Sequence, residues 1–251
     1  MGAKRFMRNI IVTFHQKKYN SFIKIVEERF KKYARKCNAE FLNVEIPADA
    51  KKPLLYKYFY IGSKLPKAKK YLVIDLDILV RKDSPNIFEM VPTGFVGMYN
   101  EASAFHTVYG INGDEISIRW NLIKQLVKDA KLQDVHMEET FYWNTPFKYY
   151  NNGVVLYDEK GLDIHRCFDD EENKNIYNCE MVCLDQNLIN YSIIKNNTKV
   201  FHLPVCFNQM PYNRCSDYRQ TSFFSHYAGL NPDVKTQEIH DDNKFWLEND
   251  F

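Results

Sequence analysis

The sequence predicts an α/β fold: a mostly parallel central sheet of Rossmann-like βαβ units flanked by helices, formed as a single domain over residues 1–251. Three observations predict it. Short apolar runs alternate with amphipathic stretches of helical period. The run Tyr71-Leu72-Val73-Ile74 is apolar at every position, as a strand covered on both faces must be. No internal period, low-complexity block or Pro/Gly/Ser linker divides the chain. A chain of 251 residues is long enough to bury a large core without metal or disulfide staples. With 17 Tyr and 18 Phe against only 9 Gly and 9 Pro, disordered and collagen-like classes are excluded.

Residues 9–14 read as a buried strand, and over 19–37 Phe22, Ile25, Val26, Phe30 and Tyr33 recur at helical spacing between Lys, Arg and Glu. Phe41, Val44 and Ile46 predict a second strand that stops before Pro47; a helix over 54–63 and a third strand over 71–74 complete the βαβ pattern. Further strands are predicted over 94–99, 153–157 and 199–203, with helices over 117–131 and 185–195. The stretch 100–148 is aromatic, polar and irregular, and suits an inserted substrate-facing loop region as well as an ordinary irregular segment. Trp120 and Trp143 there read as core or acceptor-loop aromatics.

Charge and cysteine content narrow the function classes. Thirty-four basic against 32 acidic side chains leave a formal charge of +2, so no single-sign field points to nucleic acid or anionic lipid, and no nucleic-acid partner is expected. The longest apolar run near the start, Ile10-Ile11-Val12, falls far short of the ~20 residues of a membrane helix, and neither a transmembrane segment nor a signal peptide is expected. Six cysteines are too sparse for a disulfide scaffold, which favours a reducing compartment, the cytoplasm. Cys179 and Cys183 lack a second tight pair for structural zinc.

The third strand ends in Asp75-Leu76-Asp77. Buried carboxylates cost several kcal/mol unless paired or bound to a cation, so something must compensate them. Residues two apart on a strand face the same side, at the carboxyl edge where open α/β sheets bind ligands. Two oxygen donors there suit Mg²⁺ or Mn²⁺ held jointly with substrate phosphates. Left uncompensated, the pair would destabilise the ion-free fold; the alternative is that it caps the following turn or pairs with Lys or Arg.

Four blocks in order carry a resemblance. Tyr56 through Val80, containing Lys57 and the Asp75-Leu76-Asp77 motif, is followed by Tyr150-Asn151-Asn152-Gly153-Val154-Val155-Leu156-Tyr157, by Leu184-Asp185-Gln186-Asn187-Leu188-Ile189-Asn190, and by Ser225-His226-Tyr227-Ala228-Gly229. Together, over about 9–232, they resemble GT-A fold glycosyltransferases, most closely family 8. The resemblance implies a nucleotide-binding half at about 9–99 and an acceptor-side half at about 100–235. It implies that Asp75, Asp77 and His226 ligate Mn²⁺ or Mg²⁺, with Asp75 also at the ribose, and a mixed N/O set of this kind suits Mn²⁺. Thr13 and His15 then lie where uracil and ribose contacts begin, Lys57 faces the diphosphate, and Asn151, Asn152, Asp185 and Gln186 face the donor sugar. Plainer roles exist for several: a strand residue for His226, a tight turn for Asn152-Gly153, a helix N-cap for Asp185. The family's Lys-Pro-Trp diphosphate clamp is missing after Gly229; Lys235 is the residue that can substitute for it.

The function implied is metal-dependent transfer of a sugar from a nucleotide-diphosphate donor, a UDP-sugar, to a hydroxyl acceptor such as a glycan, with retention at the anomeric carbon. Gln186 with the Asn151 and Asn152 amides would support an oxocarbenium-like centre, and Asp185 and Asp158 are the carboxylates available as a base. Rival readings are an inverting GT-A transferase, a nucleotidyltransferase, disfavoured because residues 14–20 contain no Gly, and a non-catalytic nucleotide-sugar or glycan-binding module.

Overall fold

The computed structural model describes residues 8–16, 20–101, 114–133, 148–181 and 183–251. Tyr19 and Trp143 lie outside the described residues, as do most of 100–148 away from its helix and the side chain of Trp120. The predicted alternation holds through β1 (Asn9–His15), α1 (Asn20–Lys36), β2 (Ala39–Glu45), α2 (Pro53–Ser63) and β3 (Tyr71–Ile74). Then follow β4 (Ile78–Val80), α3 (Ile87–Met90), β5 (Val96–Asn100), α4 (Asp114–Asp129), β6 (Tyr150–Tyr157), α5 (Asp170–Asn178) and α6 (Leu184–Lys195). The chain closes with β7 (Val200–His202), α7 (Tyr218–Thr221), β8 (Phe224–His226) and α8 (Pro232–Glu248).

The main sheet has six strands in the order β2-β1-β3-β6-β5-β7. β1 pairs in parallel with β2 and β3, and β5 with β7; β6 runs antiparallel between β3 and β5. Strand alternation splits the core in two. Ile10, Val12 and Phe14 of β1, with Tyr71, Val73, Val155 and Tyr157, meet Leu55, Tyr58 and Ile61 of α2 and Leu184 and Leu188 of α6. On the other face Ile11, Leu72, Ile74, Val154 and Leu156 meet Phe22, Val26, Phe30 and Tyr33 of α1 and Ile239 and Trp246 of α8. Burying each large apolar side chain contributes about 1.5–3 kcal/mol, so both faces hold the sheet that carries the site.

Several elements depart from the expectations. Asn151, Asn152 and Gly153 lie inside β6 and form no turn: Asn151 pairs with Tyr99, and Asn152 and Gly153 fall where the register with β5 shifts. Asp185 is not an N-cap: Cys183 occupies that position in the left-handed region at φ 54°, and Asp185 sits within the first turn of α6. The C-terminal α8 starts on Pro232 with Asn231 as its cap, and α5 is opened by a capping box between Asp169 and Glu172.

Candidate active site at the carboxyl edge of the sheet

After β3 the chain turns through Asp75-Leu76-Asp77 and enters β4, which leaves the main sheet to pair with β8 in a separate two-stranded ribbon. Two backbone bonds hold this turn: Asp75 N–H donates to Gly153 O at 2.8 Å, and Tyr227 N–H to Asp77 O at 2.9 Å. The ribbon sets Ile78 opposite His226, so a residue 149 positions after Asp77 reaches the same turn. His226 Nε2 stands 3.4 Å from Asp77 Oδ1 and 4.0 Å from Asp75 Oδ2. One ligand atom from each of Asp75, Asp77 and His226 lies within 4.8 Å of the others. Ligands sharing an ion at about 2.1 Å stand roughly 3–4 Å apart, so the two carboxylates and the imidazole fit a small divalent cation with little adjustment.

Two lysines complete the ionic cluster. Lys57, buried on α2, pairs with Asp75, and Lys235, in the first turn of α8, pairs with Asp77. Tyr58, the next residue on α2, anchors the helix through its hydroxyl to Ile164 O at 2.5 Å and Ser192 Oγ at 3.1 Å. Behind β8, Tyr227 donates to the fully buried Asp242 of α8 at 2.7 Å. Burial alone would raise the Asp77 carboxyl, but His226, when it carries its second proton, and Lys235 outweigh it and hold the group well below the usual carboxylate range. Burial would likewise lower Lys57, yet Asp75 and Asp185 keep it above its ordinary value. Asp185 is raised by burial and by Asp75, against the opposing pull of Lys57.

Beside the ionic cluster lies a layer of buried carboxamides. Asn152 Nδ2 donates to Asp185 Oδ2 at 2.7 Å, Asn151 Nδ2 to Gln186 Oε1 at 3.2 Å, and Gln186 Nε2 to Glu101 Oε2 at 2.9 Å. Gly153 sits between layer and cluster: a Cβ there would come 2.3 Å from His226 Cε1, so only glycine leaves space for the imidazole. A cavity of about 400 Å³ joins apolar Phe14, Ile46 and Leu54 to Lys57, Asp75, Asp77 and Asp185, and His15 and Lys235 also line it. Thr13 is fully buried, its hydroxyl without a hydrogen-bond partner among the described residues, and it does not line this cavity. Asp158 is also elsewhere, accepting from the amides of Gly94 at 2.6 Å and Gly161 at 2.9 Å as a loop staple. A larger cavity of about 560 Å³, walled by Tyr56, Tyr60 and Tyr177, shares no residue with the metal-ligand set.

No protein-family profile matches the sequence, and no curated protein matches it by sequence. Solved structures do match. A glycosyltransferase involved in glycosylation of the major capsid protein of PBCV-1 superposes with a TM-score of 0.61 at 13% identity, over 93% of this chain and 99% of that one. The galactosyltransferase LgtC, solved with donor and acceptor sugar analogues, superposes with a TM-score of 0.54 at 16% identity, over 94% of this chain and 95% of that one. The bifunctional WbbM gives 0.58 at 13% identity over 97% of this chain and half of its own length. The chain has the GT-A fold of glycosyltransferases. Within that GT-A frame the Asp75-Leu76-Asp77 turn, His226 and the β6 amides converge on one sheet edge. Two residues absent from the sequence reading join them: Asn208, in the loop after β7, and Glu101, just beyond β5. Glu101 carried the same signal as Asp75, a carboxylate closing an apolar strand; Asn208 had only a polar Asn-Gln pair set between Phe207 and Met210.

Proposed function

We propose that the protein transfers a sugar from a nucleotide-diphosphate donor, a UDP-sugar, to a hydroxyl acceptor such as a glycan, in a metal-dependent reaction that retains anomeric configuration. The observation that carries this reading is the convergence of Asp75, Asp77 and His226 in one cluster at the sheet edge. Among the structural relatives, LgtC is a galactosyltransferase seen with donor and acceptor sugar analogues.

Asp75, Asp77 and His226 would hold Mn²⁺ or Mg²⁺. Such an ion, once bound, supplies charge neutralisation for the departing nucleotide diphosphate. Lys57 and Lys235, already beside these carboxylates, add positive charge facing the same phosphates. Phe14, Ile46 and Leu54 give the cavity an apolar wall for the base, with His15 beside them. Asp185, held by Asn152, accepts hydrogen bonds from the sugar hydroxyls. Gln186 has its carboxamide fixed at both ends by Asn151 and Glu101, and its oxygen stabilises positive charge growing at the anomeric carbon. A base is not required by same-face attack; the inverting alternative would need Asp185 to take the acceptor proton, and its raised pKa suits that role.

Thermal-shift and calorimetric titration with UDP-sugars, with Mn²⁺ and with EDTA, tests the reading, since a ligand that binds only the folded state stabilises it. Mn²⁺-dependent binding followed by slow release of free nucleotide is expected. Tight binding with no release at any acceptor concentration would reduce the protein to a binding module. Binding that survives EDTA would pass the phosphate role to Lys57 and Lys235.

A further inference from the structure

A backbone amide can only donate, and one such amide decides the hydrogen-bonding pattern of the whole site. Gly153 N–H lies 2.9 Å from one terminal atom of the Asn151 side chain, and that atom is therefore Oδ1. Asn208 approaches the same oxygen at 2.9 Å. It must present its Nδ2, which turns its own Oδ1 the other way, to 2.8 Å from His226 Nδ1. An oxygen there requires the hydrogen on Nδ1. In the neutral form, the one that can ligate, imidazole carries a single N–H, so Nε2 then keeps its lone pair, and Nε2 is the nitrogen that faces Asp77 and Asp75.

The other arm obeys the same logic. With Oδ1 of Asn151 assigned, its Nδ2 donates to Gln186 Oε1 at 3.2 Å and toward Glu101 Oε2 at 3.4 Å. Gln186 Nε2 then donates to Glu101 Oε2 at 2.9 Å, and the carboxylate, which can only accept, closes the chain. Asn151, Gln186, Glu101, Asn208 and His226 are all buried, so each of these groups needs its partner.

We propose that Asn208 is a positioning residue that sets the His226 tautomer for ligation through Nε2. The relay rooted at Gly153 N–H fixes, from the same starting point, the orientation of the Gln186 carboxamide. The ligand role rests on the metal reading above, whereas the tautomer is a property of the metal-free protein. Without Asn208, the pull of the Asp77 carboxylate 3.4 Å away favours the hydrogen on Nε2, and that nitrogen must lose it before binding an ion.

The test is two-dimensional ¹⁵N long-range correlation NMR of the metal-free full chain, with Mn²⁺ binding measured separately by calorimetry. In the wild type His226 is expected as the Nδ1–H tautomer. Asn208→Leu, close in shape but unable to accept, is expected to move the hydrogen to Nε2 and to weaken Mn²⁺ by about 10–100-fold. Asn208→Asp, which still accepts from Nδ1 although it gives up the bond to Asn151 Oδ1, is expected to keep the wild-type tautomer. A wild-type His226 protonated on Nε2, or an Asn208→Leu variant with tautomer and Mn²⁺ affinity unchanged, overturns the proposal. If Asn208→Leu fails to fold, the wild-type tautomer and the Asn208→Asp spectrum decide. A wild type with the Nδ1–H tautomer but no Mn²⁺ binding overturns the ligand role and the metal reading together, while leaving the hydrogen-bond relay standing.

Discussion

The site has two ends built from different chemistry. At one end Asp75, Asp77, His226, Lys57 and Lys235 are joined by ion pairs; at the other, Asn151 links Gln186 and Asn208 by matching donors to acceptors, and Asn152 donates to Asp185. Apart from Lys57 the ionic end sits on turns and element termini, and at Asp77 and Lys57 the neighbouring charges outweigh the effect of burial. The carboxamide end has three of its members inside β6 and the first turn of α6, ends on the Asp185 and Glu101 carboxylates, and tolerates only one arrangement of hydrogens. On the proposed function, the site separates the part that would take up and release a charged ligand from the part that holds its groups in one orientation.

The most damaging way to break that separation is Gly153→Ala, because Gly153 touches both ends. Its new Cβ, 2.3 Å from His226 Cε1, is expected to destabilise the fold by about 1–3 kcal/mol and to lower Mn²⁺-dependent nucleotide binding more than tenfold, read by calorimetry and denaturant titration. Wild-type binding by this variant would show that the ends are independent.

Asp77→Asn attacks the ionic end alone. Metal-dependent donor binding is expected to fall by at least about 100-fold, with the carboxamide end intact. The sequence reading allowed the ion-free variant to gain stability by losing an uncompensated charge. The structure corrects this, since Asp77 is paired with Lys235, and a modest loss is expected instead. The pH dependence follows in sign. A carboxyl held below its unfolded value of about 3.9 contributes stability that is present above that pH and lost as pH falls below it. Melting temperatures of the wild type should therefore drop more steeply below about pH 4 than those of Asp77→Asn.

Gln186→Ala attacks the carboxamide end. Turnover is expected to fall by about 10–100-fold with donor KM nearly unchanged, since charge at the anomeric carbon exists mainly in the transition state. A raised KM at unchanged kcat would move Gln186 to ground-state binding. The smallest effect is expected from Asp169→Ala, which removes the cap of α5 and touches neither end: about 1 kcal/mol of stability, with nucleotide binding unaltered.

What could be read in advance divides along a physical line. The strands and helices of the first eighty residues announced themselves through local periodicity, and Asp75-Leu76-Asp77 through carboxylates ending an apolar run. α8 did not, because only Ile239, Asp242 and Trp246 of its seventeen residues are buried, too narrow a stripe to stand out. The antiparallel course of β6 and the departure of β4 into its own ribbon are long-range pairings that no local pattern encodes. Lys57 carries no local mark of its pairing, because its partner Asp75 comes from a turn 18 residues further on. The Asn152-Gly153 pair read equally as a turn because its neighbours in space, Asp185 and His226, come from sequence far downstream.

The placement of His226 and Lys235 on β8 and α8 also orders events during synthesis. Asp75 and Asp77 leave the ribosome 149 or more residues ahead of His226. At roughly 5–20 residues per second that is a delay on the order of ten to thirty seconds. For most of that interval the nascent chain has two of the three proposed metal ligands and neither Asn208 nor the ribbon that brings His226 to the turn. On the proposed metal reading, the growing polypeptide completes its cation site only when β8 pairs with β4.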